Sequence, residues 1–437
     1  MKKNVLVLLI GMAFTGGAQP VIDNWIMNTT GAYASYWENT ATSGPPNYVY
    51  QTTTDSADVL QVCYTADSVW VRAEGMTNDM GQYLNPGSCE PQGYVFRIPR
   101  NSTVPSSKTE SPKVGAIGVL LNGIPIYGLS NSYSWNGTTN TNMGGLGIWN
   151  VEVGLAEGFV LDTAFGAHPQ QDGAYHSHNT PYRLYKNTPT TQHSPLVGYA
   201  FDGYPVYGPY GYSTAMDNTS AIARMKTGYS LRSITVRQTL PDGTVLSSGQ
   251  YGPNVSSTYP IGTYIEDYEW LAANGGDLDE YNGRFCVTPE YPSGTYAYFV
   301  TIDAAGNAEF PYYIGVEYYG DPDDANITTG PGFVYPTIPS SGTTCLLTGI
   351  AEMSSQPLIS VYPNPSNGVF IVYTDNNSGD LNQVHVFNQL GEKVYTSNLV
   401  MGMNQVAVPV SFGKGMYFVR AISKSGKFTT SQKIIVE

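Results

Sequence analysis

The residues best suited to chemistry crowd into one short stretch. "GAYHSH", residues 173–178, sets His176 and His178 one residue apart behind a glycine, with His168 upstream and His193 downstream, so four of the five histidines fall between 168 and 193. Neutral imidazole is the commonest transition-metal ligand. Three imidazoles with one open position form the arrangement of catalytic zinc sites. Alternate residues of a β-strand share a face, so His176 and His178 can reach one ion while Tyr175 and Ser177 point the other way. Zinc and copper both accept imidazole, and ligand type does not separate them. An open site would let an ion-bound water support hydrolysis or hydration, but no general base is identifiable, so catalysis is left open.

The elements around the pair decide how many ligands converge. If Asp172-Gly173 formed a two-residue hairpin turn, His168 would lie opposite Ser177 and on the wrong face. Pro169 also disfavours a regular ladder there. His168 therefore joins the pair only if "HPQQDG" (168–173) is a loop that folds back, or a bulged turn that shifts the register. His193, in "QHSP", is read as a loop residue that either ligates or stands behind the ligands. Asp162 and Asp202 are the carboxylates that could accept a distal imidazole N–H and orient it. Each could equally cap a turn, and "DG" at 202–203 favours the turn. The competing reading of the whole cluster is a set of histidines that only hydrogen-bond within a tyrosine-rich core.

Composition points to a mainly β chain. Charged residues make up 12% of it, whereas Gly (48), Pro (29) and Tyr (35) are abundant. Aromatic and β-branched residues suit a pleated surface, and Gly and Pro punctuate it. Apolar residues at helical spacing occur only in short pieces such as "TSAIARMKTG" (219–228). Residues 1–18 have the layout of a secretory signal peptide: two lysines, an apolar run from Val5 to Phe14, then Gly16 and Ala18. No stretch approaches the ~20 apolar residues of a membrane helix. The four cysteines suit disulfides in an exported chain. Three pairings are open, and Cys63–Cys89 is favoured by proximity in sequence over Cys286 and Cys345; free buried thiols are the alternative. The net charge is −14, and the residues before Leu358 carry all of it and more. So acidic a chain repels phosphate backbones, which argues against nucleic acid as a partner. Neither GxSxG, nor a P-loop, nor HExxH is present, and "GDPDDAN" (320–326) reads as a solvated acidic loop.

Residues 336–357, rich in Pro, Ser, Thr and Gly, read as a linker between a large β-rich region (19–335) and a tail (358–437). The tail alternates with period two in five short segments separated by Asn, Gly and Ser, as expected of a small Ig-like β-sandwich. Within the large region "NGIPIYG" (122–128) returns as "DGYPVYG" (202–208), and the glycine-led "GAYHSH" is echoed by "GTYAYF" (294–299). Two units on one plan would explain the order of these words.

Two family resemblances follow. The tail, through "VYPNPSNG" (361–368), "VFNQLGEKV" (386–394), "GMYFVR" (415–420) and "KIIV" (433–436), resembles the type A C-terminal sorting domain of the type IX secretion system. That resemblance implies handling by the type IX machinery, and a protein secreted or retained at the outer-membrane surface. His385 lies inside this tail and reads as a packing residue. The large region resembles the YHYH family through "GVLLNGIPIYG" (118–128), "LDTAFGAHPQQDGAYHSH" (161–178), "HSPLVGYAFDGYPVYGPYG" (193–211), "LDEYNGRFCVTPEYPSGTYAYFVT" (278–301) and "FPYYIG" (310–315), covering about 120–320. The family leaves activity undefined. Here the name-giving word is Tyr175-His176-Ser177-His178, which lacks the second tyrosine, and Ala297 stands where relatives often carry histidine. A different class of function, a surface module binding glycans or proteins by stacking, would use the exposed members of the 35 tyrosines and six tryptophans, with "YGPYGY" (207–212) as its lip.

Overall fold

Two apolar segments, "AIGVL" and "LVGYA", need cover on both faces, which is the pattern of central strands in a sheet packed on either side. They are the middle pair of an eight-stranded sheet in the computed structural model. Its strands are β1 (Ala116–Leu120), β2 (Pro125–Tyr127), β3 (Ala167–Pro169), β4 (Tyr175–Ser177), β5 (Leu196–Ala200), β6 (Pro205–Tyr207), β7 (Gly283–Cys286) and β8 (Thr295–Phe299). Across the sheet they run β3-β4-β2-β1-β5-β6-β8-β7. The structure describes residues 20–41, 44–85, 87–326, 335–346, 359–374, 381–388, 392–400, 405–423 and 432–437. The expected signal segment, 1–18, lies outside them.

The strand order reads alike from both ends because the sheet is built twice on one plan. β1 and β2 form a hairpin over Asn122-Gly123; β5 and β6 form the same hairpin over Asp202-Gly203. β4 joins β2 in parallel, with Ser177 opposite Ile126, and β8 joins β6 in parallel, with Tyr298 opposite Val206. β3 and β7 complete the two edges by antiparallel pairing. The halves meet where Val119 pairs with Tyr199, the equivalent residues of β1 and β5, so a local two-fold axis passes between them. The repeated words of the sequence mark these two units.

Alternation sends the side chains of each strand into two cores. Ile117, Val197, Val206, Tyr175 and Tyr298 enter one with Tyr83, Tyr313 and Ile314. Val119, Tyr199, Tyr207, Ala297 and Phe299 enter the other, against a second sheet made of 344–346, 59–64, 68–73 and 94–99. Most of the tyrosine therefore serves packing: Tyr175, Tyr199, Tyr207, Tyr296, Tyr298, Tyr313 and Tyr318 are fully buried. In "YGPYGY", Tyr207 is buried while Tyr210 and Tyr212 are half-buried.

Several sequence expectations change. The disulfide joins Cys63 to Cys345, not Cys89, because strand 344–346 pairs beside strand 59–64 with the two cysteines directly opposite. Cys89 and Cys286 are free and lie in different cores. Residues 344–346, inside the stretch read as linker, are thus part of the first unit. Ile222–Arg224, within the piece with helical spacing, is a strand paired with Tyr210–Tyr212. "GDPDDAN" is no free loop: Asp323 takes a fork of bonds from the Arg97 guanidinium (2.5 and 2.7 Å), and Asn326 accepts the Arg97 backbone N–H.

The second unit, residues 349–437, stacks two antiparallel sheets. One holds 360–362, 369–373 and 405–409; the other holds 393–398, 381–387, 415–423 and 432–436. Phe370, Val384, Val408, Val419 and Ile434 fill the space between them, as the alternating pattern predicts. Among the described residues, no helix is long and apolar enough to cross a membrane.

Candidate functional site

The site grows from the β3–β4 hairpin. Gln170 N–H bonds to the Ala174 carbonyl and Gly173 N–H returns to Gln170, so the loop contains Gln171, Asp172 and Gly173. Gly173 takes φ +82°, and a Cβ there would lie 2.5 Å from Glu90. The third loop residue shifts the register by one relative to a two-residue turn. His168 consequently lies opposite His176 rather than opposite Ser177, which is the bulged alternative of the two foreseen. Pro169 is tolerated because β3 is the edge strand.

His178 follows β4 directly, its backbone N–H bonded to the Gly166 carbonyl. The three imidazoles form a compact cluster whose candidate ligand atoms all lie within 4.8 Å of one another. Nε2 of His176 and Nε2 of His178 are 2.8 Å apart. Tyr127, the last residue of β2, stacks on His176 at 4.0 Å between ring centroids. Tyr175 and Ser177 point away, Tyr175 to Asp162 and Ser177 to the Phe165 carbonyl and Tyr313.

Each imidazole uses its other nitrogen on an oxygen acceptor. Nδ1 of His176 bonds the Ala174 carbonyl at 2.9 Å, Nδ1 of His178 the Gly128 carbonyl at 3.2 Å, and Nδ1 of His168 the Asn85 Oδ1 at 3.2 Å. The Asn85 amide nitrogen donates to Pro169 O, so its oxygen must face His168. Carbonyl acceptors require the proton on Nδ1 and leave Nε2 a lone pair. Burial, then mutual repulsion among the three rings, depresses the proton affinity of His176 far below its ordinary value; burial with repulsion from His168 brings His178 down to about 4. His176 and His178 are thus held neutral, the form in which imidazole binds metal.

A carboxylate that the sequence did not reveal completes the wall. Helix α1 (Val153–Glu157) starts at Glu152, whose side chain caps Gly154 and Leu155 and accepts the Tyr312 hydroxyl. The helix ends on Glu157, with Oε2 3.2 Å from His168 Nε2 and 3.6 Å from His178 Nε2. Burial opposes ionisation of Glu157, but its contacts with His168 and His178 outweigh that and hold the carboxyl below its ordinary range. No motif spacing ties Glu157 to the histidines; only the capping residue Glu152 and the short run after it hinted at a helix. A cleft of about 790 Å³ opens beside the cluster, lined also by Asn85, Tyr127, Ser130, Asn131 and Gln170.

The other expected site residues are elsewhere. His193 packs against Tyr207, Tyr212 and Phe299, bonds Ser194 O through Nδ1, and belongs to the second half of the sheet. The registers place Arg284, Ala297 and Phe299 at positions equivalent to His168, His176 and His178. Ala297 therefore marks the second half, remote from the first-half triad by the symmetry of the sheet. Asp162 touches no imidazole: it accepts N–H groups from Gly81, Ala164 and Phe165 and the Tyr175 hydroxyl. Asp202 accepts from Tyr204 N, Gly320 N and the Tyr298 hydroxyl. Both are turn-forming carboxylates, each raised by burial, Asp202 to about 6.

Comparison with known proteins agrees with the two-part organisation. Residues 95–310 match the YHYH protein family model, and residues 360–437 match the secretion system C-terminal sorting domain. No curated protein matches the chain. Among solved structures, PorZ of Porphyromonas gingivalis, titled an essential bacterial surface component of the type-IX secretion system, aligns with 94% of this chain at 12% identity. The TM-score is 0.16 and the match spans 59% of that chain, so it carries no argument about fold. A tail of this family is read by the type IX machinery and directs export to the cell surface or beyond. The chain thus matches the YHYH protein family over residues 95–310 and carries a C-terminal sorting domain that directs its export.

Proposed function

We propose that the YHYH domain binds one divalent transition metal, zinc or copper, through His168, His176 and His178. The observation that carries this reading is the convergence of three buried Nε2 lone pairs, each fixed by a bond from the opposite ring nitrogen to an oxygen acceptor. Lone pairs held 2.8 Å apart without a proton between them repel, and a cation relieves that repulsion. A bland hydrogen-bonded core would pair every buried ring nitrogen; here Nε2 of His168 is buried with no hydrogen-bond partner. His193, Asp162 and Asp202 have no part in the site.

The test is elemental analysis of the full chain after export and dialysis without chelator. Near-stoichiometric zinc or copper is expected in the parent and in His193→Ala. A His176→Ala/His178→Ala double variant should hold none. A folded parent that takes up neither ion when both are offered would end the proposal.

A further inference from the structure

We infer that Glu157 is the fourth ligand, so that the ion sits in a four-coordinate cage of three neutral imidazoles and one carboxylate. This inference rests on the metal-binding reading of the triad and adds the residue that closes it.

The argument is geometric. Four ligand atoms around a tetrahedral ion at ~2.0 Å are ~3.3 Å from one another. Oε2 of Glu157 lies 3.2 Å from His168 Nε2 and 3.6 Å from His178 Nε2, close to that edge length on two sides. An ordinary charged hydrogen bond would account for one such contact only if the imidazole carried a proton on Nε2. His168 has its Nδ1 proton directed to Asn85 Oδ1, and its Nε2 has no hydrogen-bond partner although buried. The carboxylate oxygen and the Nε2 atoms of His168 and His178 therefore face one another at the spacing of ligands around one ion. One proton could serve one pair of these atoms, whereas one divalent cation serves all of them.

The protein also fixes Glu157 from behind. Glu152 caps the helix, Tyr312 bonds Glu152 at 2.8 Å, and Val153 N–H is held by the Leu129 carbonyl. Glu266 grips Asn150 by its backbone and side-chain nitrogens (2.7 and 2.8 Å), anchoring the strand that leads into the helix. The carboxylate cancels one charge of the ion and so lowers the cost of holding a cation in a buried site.

Cobalt(II), offered alone to the full metal-free chain, tests this through its visible absorption, which is intense when four-coordinate and weak when six-coordinate. The parent should show the intense bands. Glu157→Gln, which keeps the shape and loses the charge, should bind at least ~10-fold more weakly and show altered bands, while His193→Phe matches the parent. Glu157→Asp, one methylene shorter, guards against a folding artefact and should fall between the two if folded. Parent affinity and an unchanged spectrum in Glu157→Gln would overturn the assignment of Glu157 and leave the triad intact. A parent that binds no cobalt and no zinc would overturn both.

Discussion

His168 and His176 face each other across the β3–β4 hairpin because its loop has three residues, and that count alone puts both rings on one side of the sheet. Deleting Pro169 while the three-residue loop is kept would move His168 opposite Tyr175, on the other face. The variant should keep its far-ultraviolet circular dichroism, since β3 is an edge strand, and lose metal affinity by at least ~10–100-fold, the cost of weakening a ligand's support. Chelator competition measures it. Undiminished affinity in the folded variant would remove His168 from the ligand set.

Asn85 acts on the ion through His168. Its oxygen holds the Nδ1 proton and its nitrogen is committed to Pro169 O, so Asn85→Ala frees the ring to rotate or change tautomer. Metal affinity should fall by ~10-fold, and Asn85→Asp, which keeps the acceptor, should restore most of it. Equal loss in both variants would mean that Asn85 supports the loop rather than the tautomer.

Glu266 links pH to the scaffold of the site. Burial raises its carboxyl from an ordinary 4.5 to about 7 despite two bonds from Asn150. The folded state binds this proton more tightly than the unfolded state. Its contribution to stability is therefore full below pH 4.5 and is lost as pH rises through about 7. At about 1.4 kcal/mol per unit, the effect is on the order of 3 kcal/mol. Denaturant unfolding of Glu266→Gln between pH 5 and 8 should show a stability less dependent on pH than that of the parent, whatever its constant offset. Parallel profiles would refute the assignment.

The Cys63–Cys345 bridge spans 282 residues and ties the last strand of the first unit to the sheet beside the central one. Cys63→Ser/Cys345→Ser should lower stability by about 2–5 kcal/mol, seen as a fall in denaturant midpoint. Metal stoichiometry should stay at the parent value, because His168 and His176 lie on strands of the eight-stranded sheet whereas Cys63 and Cys345 lie in the other one. Thiol titration of the unfolded parent, before and after reduction, should give two and then four thiols.

Sequence by itself determined the class of fold, the two-part organisation, the sorting tail and the shared face of His176 and His178. These are local properties: period-two alternation sets strands, Gly and Asn/Asp set turns, and the single-residue spacing of His176 and His178 puts both on one face of whichever strand they occupy. The echo of "NGIPIYG" in "DGYPVYG" likewise announced two like hairpins. Tertiary structure decided what depends on distance in space. "DG" at 172–173 reads equally as a whole two-residue turn or as the end of a three-residue loop, and one hydrogen bond from Gln170 separates the two, with His168 as the stake. Cys345 reaches Cys63 only because a late strand returns to an early one. Glu157 meets the histidines only because a helix capped by Glu152 and buttressed by Tyr312 ends at the open side of the hairpin. His193 resembled the others in sequence yet belongs to the opposite half, because the two-fold plan of the sheet separates residues that the chain keeps near.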